Sequence, residues 1–208
     1  MYNNSLIEED LQHHMDIGTL SHLAEIALGA SVYPSYLFSP SIYYRFLRLL
    51  AEDMYPDLSV ELGVGTGGGS MHLALGNPEG NVIGIDGGNH WPEALKHVEE
   101  TCPNFEFWQR ESVEAAGYAK QLWSQSDNVR LVDILFIDTI HTYEQTMAEF
   151  NAWKSLLSSR AIVLLDDLYY SGVSDAWEEL PGSKVRLDML HPESGFGAIC
   201  DLALEDLT

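Results

Sequence analysis

In the middle of the chain, short apolar runs alternate with longer segments in which apolar residues recur with helical periodicity. The apolar runs predict five strands, at residues 59–62, 81–86, 105–109, 132–138 and 161–166. The segments between them predict four helices, at residues 70–75, 92–101, 112–125 and 142–157. The last two runs are apolar nearly throughout, which is typical of strands that are buried on both faces. Alternation of such strands with helices predicts a doubly wound α/β protein with a mostly parallel sheet.

Further elements are predicted at the two ends of the chain. The N-terminal part predicts mostly helical structure over residues 5–30, a loop over 31–41 and a helix over about 41–54. The C-terminal part predicts a helix at 174–180 and two strands, 184–189 and 196–202, that could form an antiparallel edge hairpin. We therefore expect a single domain over residues 1–208, with a helical N-terminal extension (1–55) and a core with a seven-stranded sheet (58–202).

Acidic residues greatly outnumber basic ones. The chain has 32 Asp and Glu and 10 Lys and Arg, so its formal net charge is −22. A surface of this sign repels nucleic-acid phosphates and anionic lipid headgroups, so we expect no nucleic acid and no membrane as a partner. Solubility alone is the simpler explanation of the charge.

The cysteines and the N-terminus bear on the compartment. Cys102 and Cys200 have no metal-type spacing, which favours a reduced, cytoplasmic setting. The first ten residues lack the basic and apolar regions of a secretory signal. No apolar stretch approaches the ~20 residues that span a bilayer. We expect a cytoplasmic protein, and the sequence leaves open whether it forms a homo-oligomer.

A glycine-rich loop, Glu61-Leu62-Gly63-Val64-Gly65-Thr66-Gly67, follows the first predicted strand and precedes a helix. This context suits a nucleotide-type cofactor at the carboxyl edge of the sheet. Asp86 ends the second strand, where it could accept hydrogen bonds from the ribose of either NAD or S-adenosylmethionine (SAM). Glu61 favours SAM, because its charge would repel a pyrophosphate and attract a sulfonium and an α-ammonium group. Alternatively, Glu61 points to a helix terminus or to a nearby Lys.

Together with Val60, this loop resembles motif I of the class I SAM-dependent methyltransferases. The resemblance covers roughly residues 58–200 and implies a Rossmann-like fold. The residues that it implies for the cofactor are Glu61, Gly63, Gly65, Gly67, Asp86, Glu111 and Ser112. Among them, Asp86 would contact the ribose, and Glu111 and Ser112 would contact the adenine.

Three aspartates follow the fourth and fifth predicted strands. Asp138 ends the fourth strand, and Asp166 and Asp167 end the fifth. Adjacent strand ends lie side by side in such a sheet, so the three carboxylates should converge near the methyl group of the cofactor. Carboxylates this close repel one another unless a cation joins them, and oxygen ligands suit Mg²⁺, Ca²⁺ or Mn²⁺. The alternative is structural: Asp166 caps the following turn and Asp167 is solvated.

This acidic pattern resembles the metal-dependent small-molecule O-methyltransferases, those of the catechol type and, more closely, those of macrolide sugars. The resemblance maps their divalent-cation site onto Asp138, Asp166 and Asp167. It departs at residues 158–160, Ser-Ser-Arg, where the family usually has a Gly-Gly turn; we expect this to change only the turn.

His141 lies three residues after Asp138, in a stretch similar to the Asp-Gly-x-His-x-Tyr segment of that family but with Thr139 in place of Gly. Its ordinary pKa suits a general base that takes the proton of a substrate hydroxyl, with Asp138 as the alternative base. Equally, His141 could cap the helix at Thr142 or bond to a neighbouring carboxylate.

These features predict a SAM-dependent O-methyltransferase that acts on a hydroxyl of a small-molecule acceptor, a sugar or natural product, assisted by a divalent cation such as Mg²⁺. An NAD-type oxidoreductase and a non-catalytic SAM-binding protein of the same fold are the alternatives. Hydroxylation is a further alternative, since some relatives with this metal site are described as hydroxylases of antibiotic nuclei.

Overall fold

The computed structural model describes residues 15–29, 42–88, 90–125 and 130–202. Within these ranges the helices are α1 (Ile17–Gly29), α2 (Ile42–Met54), α3 (Gly68–Gly76), α4 (Pro92–Thr101), α5 (Ser112–Ser124), α6 (Tyr143–Trp153) and α7 (Ser171–Glu179). The strands are β1 (Leu58–Leu62), β2 (Asn81–Ile85), β3 (Phe105–Trp108), β4 (Val132–Ile137), β5 (Leu157–Asp166), β6 (Ser183–Arg186) and β7 (Phe196–Cys200).

The seven strands form one sheet in the order β3-β2-β1-β4-β5-β7-β6. Strands β1 to β5 pair in parallel, and β7 runs antiparallel to both β5 and β6. This confirms the predicted mostly parallel sheet with an antiparallel C-terminal hairpin. The chain order reverses between β1 and β4, so the carboxyl ends of these strands border the crevice where ligands bind in such sheets.

Two apolar cores, one on each face of the sheet, hold the helices in place. Phe46 of α2 belongs to the core that also contains α1, α3 and α4, and Trp153 of α6 belongs to the core of α5 to α7. Phe136 and Leu135 of β4 point into opposite cores, which is why this strand is apolar throughout. Among the described helices, none has the length and apolar character needed to cross a membrane.

The N-terminal extension is described only in part. The helix predicted to begin near residue 41 is α2, and residues 17–29 of the predicted helical segment 5–30 form α1. Residues 1–14 and the predicted loop at 31–41 lie outside the described residues.

The largest departure from the predicted elements lies before β5. The helix predicted to reach residue 157 ends at Trp153, and β5 begins at Leu157 instead of 161. The Ser-Ser-Arg stretch at 158–160 therefore belongs to the strand, so our expectation that it changes only a turn is wrong. The Ser158 hydroxyl donates to Asp133 Oδ1 at 2.6 Å, and the Arg160 guanidinium donates to both Asp133 oxygens at 3.1 Å. The Asp133 carboxylate is buried and needs hydrogen-bond donors. Ser158 and Arg160 supply these donors from β5, which accounts for polar residues in this part of the strand.

Candidate active site

The loop after β1 packs directly against the loop after β4. Gly63, Gly65 and Gly67 have φ angles of 86°, 53° and 82°, a region that favours glycine. A Cβ on Gly63 would lie 1.7 Å from the carbonyl oxygen of Asp138. The Asp138 amide donates to the Leu62 carbonyl at 2.9 Å. The position of Asp138 is therefore fixed by backbone contacts to the glycine-rich loop.

Asp86 lies at the end of β2, and backbone groups hold its carboxylate. It accepts hydrogen bonds from the amides of Gly65 at 3.2 Å and Gly88 at 2.9 Å. The carboxylate of Glu111 lies close by, since a Cβ on Gly87 would be 2.2 Å from Glu111 Oε1. Two acidic side chains therefore lie together beyond the end of β2.

These loops and α6 enclose a cavity of about 470 Å³, a volume in the range of small-molecule sites. The described residues that line it include four acids, Asp86, Glu111, Asp138 and Glu149, and no lysine or arginine. Such a lining favours a cationic ligand over one that carries phosphate groups.

Glu61 is not among the residues that line this cavity. Its side chain is buried, and Oε2 accepts hydrogen bonds from the Ser70 amide, at 2.6 Å, and from the Ser70 hydroxyl. Burial raises the pKa of Glu61 to about 7, and the bonds from Ser70 oppose this rise. Of the two roles considered from the sequence, the structure shows the carboxylate at a helix terminus, here the start of α3.

The three aspartates at the ends of β4 and β5 meet two histidines. Ligand atoms of Asp138, His141 and Asp167 lie within 4.8 Å of one another, as do those of Asp166, Asp167 and His191. Burial, and next the charge of Asp166, raises the pKa of Asp138 well above its ordinary value. Burial also raises the pKa of Asp166, although the hydrogen bond from His191 acts to lower it. We refer to these five residues as the acidic cluster.

Each histidine of the cluster contacts one of the two adjacent aspartates. His141 Nε2 lies 2.5 Å from Asp167 Oδ2, and His191 Nδ1 lies 2.8 Å from Asp166 Oδ1. Asp167 has a φ of 59°, a conformation that costs a non-glycine residue roughly 1–3 kcal/mol and is concentrated at functional sites. The helix cap considered for His141 is made by Thr142, whose hydroxyl oxygen accepts from the Gln145 amide.

Residues 60–168 match the model of a protein family described as a methyltransferase domain. This match covers more than half of the chain. The chain belongs to the methyltransferase domain family. The predicted class of enzyme, a SAM-dependent methyltransferase, is confirmed, and the NAD-type oxidoreductase is not supported. No curated protein matches the sequence significantly.

The methyltransferase also shares its fold with solved structures of low sequence identity. An O-methyltransferase from Bacillus cereus, solved with S-adenosylhomocysteine (SAH), is 16% identical with a TM-score of 0.64, covering 92% of this chain and 94% of that one. One from Streptomyces achromogenes, involved in tomaymycin synthesis and solved with SAM, is 16% identical with a TM-score of 0.61 and coverages of 90% and 92%. A TDP-rhamnose 3'-O-methyltransferase of calicheamicin biosynthesis is 17% identical with a TM-score of 0.59 and coverages of 88% and 93%.

The structure brings most of the predicted site residues of the methyltransferase together. The predicted cofactor residues that line the cavity are Gly63, Gly65, Asp86, Glu111 and Ser112. Gly67 does not appear in this lining; it precedes α3, and a Cβ there would contact Leu95 and Val98 of α4. The predicted ligands Asp138, Asp166 and Asp167 all belong to the acidic cluster.

The sequence analysis did not predict three polar side chains of the site, Gln145, Glu149 and His191, and it noted Thr139 only as a departure from a glycine. Gln145 and Glu149 line the cavity from α6, and their i, i+4 spacing on a predicted helix could have suggested a shared role. His191 carries no local signal, because it follows Asp166 by 25 residues and lies beyond a helix and a strand.

Proposed function

We propose that the methyltransferase transfers a methyl group from SAM to a hydroxyl oxygen of a small molecule, a sugar or natural product, with the help of a divalent cation. One observation carries this proposal: the acidic cluster adjoins the cavity, and Asp138 belongs to both. Methyl donor and hydroxyl acceptor would therefore meet at Asp138. The similar fold of an enzyme that methylates TDP-rhamnose supports a sugar as the first class of acceptor to test.

The cavity lining suits SAM in charge and in shape. Asp86 would accept hydrogen bonds from the ribose hydroxyls, while Gly63 and Gly65 let the backbone approach the methionine part closely. Glu111 and Ser112 would border the nucleoside beyond the ribose. The described lining offers no basic side chain to balance a pyrophosphate, which supports SAM over a dinucleotide.

The donor set of the acidic cluster fits a hard divalent cation. Asp138, Asp166 and Asp167 would supply the oxygen ligands. Burial, and next the charges of the neighbouring carboxylates, raise the pKa of Asp138, and a bound cation would stabilise its charged form against both effects. A bound cation would lower the pKa of the acceptor hydroxyl and hold its oxygen in place.

His141 is our choice for the general base, with Asp138 as the alternative. Asp167 contacts Nε2 of His141, which orients the ring and leaves Nδ1 as the nitrogen that would accept the hydroxyl proton. The acceptor oxygen would form its bond to the methyl carbon as the carbon–sulfur bond breaks. SAH would leave, and the proton would remain on His141.

The test is calorimetric titration with SAM and with Mg²⁺ or Mn²⁺, on the wild type, Asp166→Asn and Asp175→Asn. Asp175→Asn removes the same charge from an exposed position on α7, so it controls for net charge. We expect SAM binding in all three proteins and metal binding that is lost only in Asp166→Asn. SAH release would then be assayed with nucleotide sugars and catechols as acceptors. Absence of SAM binding overturns the proposal, and unchanged metal binding in Asp166→Asn overturns the cation site.

A further inference from the structure

Glu149 is a fully buried carboxylate that joins three segments around the cavity. It accepts hydrogen bonds from the hydroxyl of Ser112 at 2.5 Å, from the hydroxyl of Thr139 at 2.8 Å and from Nε2 of Gln145 at 2.7 Å. Burial raises the pKa of Glu149, while these three donors stabilise its charged form. The carboxylate is thereby fixed between the loop after β4 and the start of α5.

This network fixes the orientation of the Gln145 amide. Its Nε2 donates to Glu149 Oε1 at 2.7 Å and also contacts the hydroxyl oxygen of Ser112 at 3.1 Å, so the amide nitrogen faces these two oxygens. The reversed orientation would place the amide oxygen 2.7 Å from a carboxylate oxygen, and two acceptors at that distance repel each other. Gln145 Oε1 therefore lies on the side away from Glu149, where no hydrogen bond to it is formed within the described residues.

The local sequence predicts a helix-capping role for the Gln145 side chain, and the structure shows a different one. Thr142-x-x-Gln145 matches a capping box, in which the Gln side chain returns to the backbone at the start of its own helix. Only half of this box forms in α6, since Thr142 accepts from the Gln145 amide while the Gln145 side chain turns to Ser112 and Glu149. The Gln145 side chain, which lines the cavity, therefore lacks this helix-stabilising bond and joins the Glu149 network instead.

We propose that Gln145 Oε1 accepts a hydrogen bond from the 6-amino group of the SAM adenine and so selects a 6-amino purine. This inference rests on the proposed placement of SAM. With Asp86 at the ribose, the neighbouring Glu111 would border the nucleoside where the ribose joins the base, and the base would lie against Ser112 and Gln145. The Ser112 hydroxyl already donates to Glu149 and accepts from Gln145, so it offers the base little. A purine with a 6-oxo group would place an acceptor against Oε1.

The test compares binding of SAH and of its 6-oxo analogue, S-inosylhomocysteine, by calorimetry. The proteins are the wild type, Gln145→Met, which keeps length without an acceptor amide, and Gln121→Met. Gln121→Met is the matched control, because it makes the same change at an exposed position of α5 that does not line the cavity. We expect the wild type and Gln121→Met to bind SAH about 10- to 100-fold more tightly than the analogue. In Gln145→Met the two ligands should bind within about threefold of each other.

The outcomes separate this inference from the proposed function. A Gln145→Met protein that keeps the wild-type preference for SAH overturns the role of Gln145 while the SAM site stands. A wild type that binds neither ligand overturns the proposed cofactor site, and this inference with it. If Gln145→Met does not fold, Gln145→Asn provides the same test, since its amide is one methylene too short to keep the contacts. Loss of the preference in that variant supports the inference, and its retention contradicts it.

Discussion

Glu61 should make the stability of the methyltransferase depend on pH, because its carboxylate is buried beneath the glycine-rich loop. Its pKa rises from 4.5 to about 7 on burial, a difference of about 2.5. Each pKa unit corresponds to about 1.4 kcal/mol, so the coupled free energy is about 3 kcal/mol. The unfolded chain releases this proton first as the pH rises. The contribution of Glu61 to stability is therefore full below pH 4.5 and is lost as the pH rises to about 7.

Glu61→Gln isolates this effect, because an amide has nearly the same shape and does not titrate. The assay is urea unfolding of both proteins at pH 5 and pH 8. We expect the difference in unfolding free energy between them to shift by about 2.5 kcal/mol in favour of the Gln variant from the lower to the higher pH, because part of the full effect falls below pH 5. Asp138, Glu149 and Asp166 also have raised pKa values and are present in both proteins. The charge of Glu61 also raises the pKa of Asp138, so the measured difference includes this coupling. A difference that is the same at both pH values would show that Glu61 titrates as an exposed carboxylate does.

Two further predictions concern the loop and the acidic cluster. Gly63→Ala should lower the urea midpoint and weaken SAH binding at least about tenfold, because the added Cβ would clash with the Asp138 carbonyl. The control is Gly117→Ala on α5, which has open space around it and should be neutral or slightly stabilising. Equal behaviour of the two variants would contradict the close packing of the loops. His191→Leu should weaken Mn²⁺ binding about 10- to 100-fold, measured by electron paramagnetic resonance, because Asp166 loses the side chain that orients it. His191→Asn retains a donor and should recover most of this affinity, and Mn²⁺ affinities that match the wild type in both variants would contradict the orienting role.

The order and type of the core elements could be predicted because local apolar patterns reflect burial. Phe136 and Leu135 face opposite cores, so the run that contains them had to be apolar throughout in a sheet covered on both faces. The beginning of β5 could not be predicted in this way. Ser158 and Arg160 look like turn residues until Asp133, on the neighbouring strand, is known to be their partner. A polar strand end depends on its cross-strand partner, which the local sequence does not specify.

In the candidate site, too, residues with a local sequence signal could be predicted, whereas contacts between distant parts of the chain could not. Asp86, Asp138 and Asp166 could be found because each ends a strand, and the ends of parallel strands share one edge. The sign of its charge did not determine the role of Glu61. Its carboxylate is bound by the Ser70 amide at the start of α3, where the helix carries a partial positive charge, and this contact forms only when the chain folds. His191 contacts Asp166 only because β7 pairs antiparallel to β5 and returns the chain to the same edge.

Asp138 connects the cavity with the acidic cluster, because it lines the first and belongs to the second. Its backbone packs against Gly63, so it cannot move away from the glycine-rich loop, and its carboxylate reaches the ligand atoms of His141 and Asp167. A ligand that fills the cavity and a cation that joins the carboxylates would therefore both contact one residue held by two strands. Proximity of this kind lowers a transfer barrier only if the reacting groups are held and not merely near each other. The backbone contacts of Asp138 fix the position of the one residue that both ligands would contact, before either ligand arrives.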